Sequence, residues 1–371
     1  MKKILKMTLL IIVSIIGVIL IVGVLFINLS PQFGAKSTGT NAGRLKSSPN
    51  YKDGRFHNVE ETVVMKSMSY STIPSYFTNE GKSPDWSIPV VKITSQYFDD
   101  HSDSLTRLTW FGHSAVLLEM DGKKIFLDPM LGSVPSPHPW LGASRFNDTL
   151  PMPIEQLPHL DAVLISHDHY DHLDYGSIVA LKDKVDKFYV PLGIAAHLKL
   201  WGVDEEKITE FDWWQEADLD GIKLVSTPAR HFSGRGLFDR FSTLWCSWVV
   251  QGKQNSIFFG GDSGYDDSFK LIGEKYGPFD FTMLECGQYN EQWPEIHMMP
   301  EETVQANIDL GGKVMMPIHW GAFKLSLHPW DEPVERALKK AVELKVKVAT
   351  PKIGQAIVLD SEIPAPVWWK R

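Results

Sequence analysis

The sequence predicts a mixed α/β chain of the α+β kind: two β-sheets covered by helices, preceded by one membrane-spanning helix. Three observations carry this. An uncharged apolar run fills residues 7–27. Short apolar, β-branched runs come first as hairpins and later mix with helical patterns, which suits two covered sheets better than one doubly wound sheet. His and Asp residues stand just past the ends of several of those runs, where a rigid scaffold builds its sites.

The N-terminal run follows Lys2, Lys3 and Lys6. At about 1.5 Å per residue it reaches about 30 Å, one hydrocarbon core. It is longer than a secretory h-region, and neither an Ala-x-Ala site nor a lipid-accepting cysteine follows it. Residues 1–29 are therefore expected to be an uncleaved anchor, making the protein a single-pass protein of the cell membrane. Lys36, Arg44 and Lys46 follow the span closely, so the positive-inside rule discriminates weakly. The expectation is a cytoplasmic N-terminus with the folded domain outside. Residues 30–104 carry the turn signals Ser30-Pro31, Ser48-Pro49-Asn50 and Gly81-Lys82-Ser83-Pro84. They read as a stalk followed by a segment wrapped on the main domain.

The folded domain is expected over residues 105–371. Strands read at 108–111, 115–120 and 124–128, with Asp121-Gly122 as the hairpin turn between the last two. A strand at 161–165 is followed by a helix at 175–184, a strand at 188–190 and a helix at 193–200. Further strands read at 222–226, 244–250, 256–259, 281–284 and 313–317. Helices read at 266–276, at 300–310 with Pro300 at its start, and at 332–344. With 371 residues and 43% hydrophobic content the chain can bury a large core. A net charge of -8 leaves no basic footprint, so nucleic acid is not an expected partner. Cys246 and Cys286, the two cysteines, lie in apolar strand-like runs and read as buried thiols, neither a disulfide nor a zinc pair.

The chemistry concentrates in Ser166-His167-Asp168-His169-Tyr170-Asp171-His172-Leu173-Asp174, directly after the strand at 161–165. In extended chain His167 and His169 point the same way, and Asp171 and His172 follow at the turn. Imidazole and carboxylate are the donors that borderline cations such as Zn²⁺ accept. His231 ends a second strand run, Asp262 a third in Gly260-Gly261-Asp262-Ser263-Gly264, and His319 a fourth in Pro317-Ile318-His319-Trp320-Gly321. Each is a weak signal alone. Together they give five His and two Asp, a set that suits two metal ions sharing a bridging carboxylate. Two Zn²⁺ ions are expected, and such donors also accept iron or another divalent metal.

The pattern His-x-His-x-Asp-His, then a lone His, a lone Asp and a last His, resembles the metallo-β-lactamase superfamily of hydrolases over roughly residues 105–360. The resemblance implies a four-layer αββα sandwich with a dinuclear site at one edge. It implies one metal on His167, His169 and His231, the other on Asp171, His172 and His319, with Asp262 bridging. A closer likeness lies in Trp110-Phe111-Gly112-His113-Ser114-Ala115, Phe126-Leu127-Asp128-Pro129, Phe211-Asp212-Trp213-Trp214, His231-Phe232-Ser233-Gly234-Arg235 and His319-Trp320-Gly321-Ala322-Phe323. These look like the N-acylphosphatidylethanolamine-hydrolysing phospholipase D family. That likeness implies hydrolysis of a membrane glycerophospholipid phosphodiester by a metal-bridging hydroxide, releasing phosphatidic acid and an N-acylethanolamine. The N-terminal span is a departure of the bacterial type.

Charge arithmetic favours an anionic substrate independently. Two divalent ions, less Asp171, Asp262 and one hydroxide, leave a single positive charge to attract a phosphodiester. Metal coordination also lowers the pKa of water from about 15.7 toward about 7. Asp128 is a candidate to orient a ligating imidazole. Arg235 is a candidate to hold a phosphate oxygen, and His297 to protonate the leaving alkoxide. Asp171, His297 and Arg235 are thus the expected catalytic set. The alternative on the same scaffold is a metal-dependent lactonase or carboxylic-ester hydrolase. The sequence contains no Gly-x-Ser-x-Gly elbow to suggest a serine hydrolase.

Overall fold

The computed structural model describes residues 2–67, 73–99, 105–147 and 149–370. Helix α1 (Lys2–Leu29) takes up the apolar run; it is long and apolar enough to cross a membrane, and none of its residues is buried against the protein. The expected stalk is not free chain. The Pro31 carbonyl accepts from Trp201 Nε1 at 2.7 Å and the Gln32 carbonyl from Arg235 Nε at 2.9 Å. Ala35 N donates to His197 Nδ1 at 2.9 Å. Backbone polar groups leaving a helix need partners, and here the domain supplies them at once.

The wrapping segment continues through α2 (Gly39–Ser47), a hairpin of β1 (Tyr51–Lys52) and β2 (Arg55–Phe56), and the short helices α3 (Ile73–Phe77) and α4 (Gln96–Asp99). Asn58 is its contact with the site: its amide pairs with the backbone N and O of His231 at 3.0 and 2.8 Å. The expected boundary at 104 lies outside the described residues.

Two seven-stranded sheets follow. The strands are β3 (Arg107–Trp110), β4 (Val116–Met120), β5 (Lys123–Leu127), β6 (Leu160–Leu164), β7 (Val185–Pro191), β8 (Ile208–Phe211), β9 (Glu216–Leu219), β10 (Ile222–Thr227), β11 (Ser247–Gln251), β12 (Ser256–Phe259), β13 (Phe281–Glu285), β14 (Val314–Ile318), β15 (Lys347–Val348) and β16 (Ala356–Val358). The first sheet runs β16-β3-β4-β5-β6-β7-β8 and the second β15-β14-β13-β12-β11-β10-β9. In each, one half is antiparallel and the other parallel. Asp121 and Gly122 both take positive φ, 51° and 78°, in the two-residue turn between β4 and β5. That is the conformation that joins twisted antiparallel strands without splaying them.

Strand alternation makes the layers. Val116, Leu118 and Met120 of β4 and Ile257 and Phe259 of β12 point into the core between the sheets. Leu117 and Phe126 turn outward with Ile178 and Leu198 of α5 (Tyr175–Leu181) and α6 (Ala195–Leu200). Phe258 and Met315 turn outward with Ile272, Val304 and Ala337 of α7 (Ser268–Tyr276), α8 (Pro300–Asp309) and α9 (Glu332–Leu344). Both faces of both sheets are covered, which gives the four-layer αββα sandwich. Cys246 and Cys286 are free and buried.

Pairing also fixes which strand ends meet. In the first sheet β3, β5 and β6 run in one direction; in the second β10, β12, β13 and β14 share a direction. Every candidate ligand follows the C-terminal end of one of these strands.

Candidate metal centre

Loop 166–174 after β6 is wound by its own backbone. His172 N and Leu173 N both donate to the His169 carbonyl, at 3.1 and 2.8 Å. This turns His167, His169, Asp171 and His172 toward one point. From the second sheet come His231, Asp262 and His319. Gly261, at φ +58, is needed beside Asp262: a Cβ there would sit 2.6 Å from Ser166 Cβ. His113, Asp128 and His319 also take positive φ, 55°, 41° and 65°. Each such backbone costs about 1–3 kcal/mol, so three at one site mean the surrounding structure holds them there.

Among the groups of donors that form are His167, His169, His231 with Asp262, and His113, Asp171, His172 with His319. Asp262 stands between them. Its Oδ2 lies 3.8 Å from Nε2 of both His167 and His231. Its Oδ1 lies 3.1 Å from His172 Nε2 and 3.1 Å from His319 Nδ1. His169 Nδ1 lies 3.0 Å from His167 Nε2 and 3.2 Å from His231 Nε2. Asp171 Oδ2 is 3.7 Å from His172 Nε2 and 3.9 Å from His319 Nε2.

Outer contacts orient the rings. Asp128 Oδ2 lies 2.7 Å from His172 Nδ1 and accepts from Ser166 Oγ at 2.5 Å, while Oδ1 accepts from Ser166 N at 2.7 Å. His231 Nδ1 donates to the Ile296 carbonyl at 2.9 Å. Such partners select the tautomer and leave the other nitrogen free to ligate. His113 Nε2 meets Asp171 Oδ2 at 3.0 Å.

The electrostatics call for a cation. Burial pushes His113 and His169 down to about 4, and burial with neighbouring imidazoles holds His167, His231 and His319 well below the usual range. Burial also opposes charge on His172, yet Asp262, Asp171 and Asp128 outweigh it and hold that imidazole well above its usual range. Burial raises Asp262 to about 6 despite the pull of His172. His172 Nε2 and Asp262 Oδ1 are buried without a well-formed hydrogen bond. Unpartnered donors of this chemistry, around a point where carboxylates demand positive charge, fit divalent metal.

His297 faces the same cavity of about 230 Å³. Its Nδ1 lies 2.7 Å from Glu285 Oε2, and its ring stacks on His319 at 5.3 Å. Arg235 is placed elsewhere. Its Nη1 donates to the carbonyls of Asp168 and Leu173 at 2.6 and 2.7 Å, and its guanidinium lies over Tyr170. It braces the His-rich loop from behind. The arginine lining the metal cavity is Arg240, over the Phe232 ring. Arg240, Glu285 and His113 carry little local signal in the sequence. His113 lies inside Gly112-His113-Ser114, and Glu285 ends an apolar strand with no other mark.

Residues 123–320 match the beta-lactamase superfamily domain. An uncharacterized protein of Mycobacterium tuberculosis is 40% identical over 336 residues, 88% of this chain and 88% of its own length. The N-acyl-phosphatidylethanolamine-hydrolyzing phospholipase D 1 of Caenorhabditis elegans is 34% identical over 276 residues, 71% of this chain and 75% of that protein. Among solved structures, the isothiocyanate hydrolase from Delia radicum gut bacteria superposes with a TM-score of 0.54 at 22% identity, covering 68% of this chain and 98% of that one. The chain belongs to the metallo-β-lactamase superfamily, and it is a metal-dependent hydrolase of that fold.

Proposed function

We propose that the protein is a membrane-anchored, dinuclear zinc phosphodiesterase of the phospholipase D type, acting on N-acylphosphatidylethanolamine-like lipids. The observation that carries this is Asp262, which offers one carboxylate oxygen to each of two imidazole groups. On this reading His167, His169 and His231 hold one ion, and Asp171, His172 and His319 the other. Such ions would supply hydroxide at neutral pH and offset phosphodiester charge. The relative named as a phospholipase D, and the anionic preference of such a centre, support the substrate class.

The chain's own residues do the rest. Arg240 meets the phosphate at the cavity wall. Phe232, Trp293, Ile296 and Leu325 give that wall an apolar surface for lipid and exclude water. Glu285 fixes His297 through Nδ1, so that Nε2 can pass a proton to the leaving oxygen. Arg235 acts indirectly, by holding the loop that carries Asp171. The catalytic domain sits on the extracytoplasmic side, with α1 as its anchor.

The test is a mass-spectrometric screen of the purified, metal-loaded protein against phospholipids and lactones. Phosphatidic acid and an N-acylethanolamine are the expected products. Lactone turnover with no phospholipid cleavage would replace this reading by a carboxylic-ester hydrolase.

A further inference from the structure

A second cavity, of about 220 Å³, lies behind the His-rich loop and is lined by Gln32, Pro139, Tyr170, Asp174 and Arg235. Three apolar features stand around it. Gln32 follows the end of α1 closely. Pro139 precedes Trp140, which is 69% exposed. Arg235 opens a loop whose tip is Leu237-Phe238, 73% and 94% exposed. Exposed large apolar side chains beside the lining of one cavity mark an interaction surface.

Their placement relative to the span is fixed. Phe26, in the last turns of α1, packs on His138 at 4.8 Å and Trp140 at 5.9 Å, and His138 stacks on Trp140. Trp201, Arg235 and His197 bond the residues directly after the helix, so the domain does not swing on a tether. The other tip is a built turn. Asp239 accepts from Arg235 N at 3.1 Å and from Gly236 N at 2.8 Å, which closes the loop and leaves Leu237 and Phe238 projecting.

We propose that Trp140, Leu237 and Phe238 form a docking surface that enters the headgroup layer of the bilayer α1 crosses. Tryptophan beside the end of a span is the residue type that settles at that depth, and phenylalanine and leucine supply the apolar wedge. Arg235, at the base of the tip, is buried and ties the tip to the His-rich loop through the carbonyls of Asp168 and Leu173. Arg240, on the far side of the same loop, lines the metal cavity. Docking the tip therefore holds the mouth of the catalytic site against lipid. The inference rests on the anchored reading above.

The test uses the full chain in phosphatidylethanolamine–phosphatidylglycerol vesicles. Cys246 and Cys286 are buried, so an environment-sensitive dye can be placed by Phe238→Cys, Trp140→Cys and, as a control on α9, Val342→Cys, which is 79% exposed. Dye at 238 and 140 is expected to shift to the blue and be quenched by a shallow lipid-borne quencher, while dye at 342 stays water-like. Independently, Leu237→Ser with Phe238→Ser should cut hydrolysis of vesicle lipid about tenfold and leave detergent-dispersed lipid unaffected. If the chain floats with vesicles while 238 and 140 remain as water-like as 342, the docking surface is wrong and the anchor stands. Should the full chain fail to float at all, the anchored reading fails and takes this inference with it.

Discussion

The two sheets furnish the metal centre in different ways. The first delivers His167, His169, Asp171 and His172 from one turn after β6, a unit closed by the His169 carbonyl. The second delivers His231, Asp262 and His319 from three separate strand ends, and none of these is near another in sequence. The first half is local and is set by a few backbone hydrogen bonds. The second exists only when β10, β12, β13 and β14 are in register. What joins them is Asp262, whose two carboxylate oxygens face the two imidazole groups. Residues that link the halves should therefore matter most, and those that tune one half should matter less.

The largest effect is expected at that link. Asp262→Asn removes the charge both groups share, so metal and activity should be lost together. Elemental analysis should find close to two zinc-like ions per wild-type chain and clearly fewer in the variant. A variant that kept both ions and full turnover would show that Asp262 does not link the two groups. His297 comes next, because it belongs to the second half yet touches no proposed ligand through a hydrogen bond. His297→Gln should lower kcat by about a hundredfold or more with metal content unchanged. Loss of metal in that variant would mean His297 ligates rather than moves protons.

Legibility in the sequence followed the same division. The His-rich loop was readable because its donors are adjacent and follow a strand. The strand and helix pattern over β3 to β6 and α7 to α9 was readable because apolar runs were long and turn residues were distinct. Strands β8 and β9 went unread: Ile208–Phe211 includes Glu210, whose buried carboxylate accepts from Gly193 N and Ala195 N. Such a residue interrupts the apolar signal while serving the fold. Arg235 illustrates a second limit. Its place after His231 suggested phosphate, but the loop reverses, and the side chain five residues later reaches the metal cavity instead. The direction of a loop is set by tertiary bonds such as those of Asp239, which no local pattern records.

A smaller effect should come from an orienting contact confined to the first half. Asp128 holds His172 through Nδ1 and touches none of the residues from the second sheet in this way. Asp128→Asn should weaken metal affinity or activity by about 10–100-fold, well short of the loss at Asp262. Measured zinc affinity by competition with a chelator is the suitable readout. Equal losses at Asp128 and Asp262 would show that the first half does not persist as an independent unit.

The smallest effect on chemistry should come from the anchor. Helix α1 touches the domain near its end, through Phe26, and is not among the candidate ligands, whereas Pro31, Gln32 and Ala35 bond directly into the domain. A deletion should therefore stop at Leu29 so that those three bonds remain. Hydrolysis of detergent-dispersed or short-chain lipid should then stay within about twofold of the full chain, because no residue of the centre is lost. On the proposed reading, hydrolysis of lipid in vesicles should fall well below that of the full chain reconstituted in the same bilayer, since an anchor would raise the local concentration of substrate without adding a contact. Extending the deletion through Ala35 separates the helix from the three bonds that follow it. That cut strips partners from Trp201, Arg235 and His197, and Arg235 is the brace behind the loop carrying Asp171. Activity on dispersed lipid should fall only in the longer deletion. Equal loss in both would mean that α1 itself shapes the site, and no loss in either would mean the His-rich loop holds without its brace.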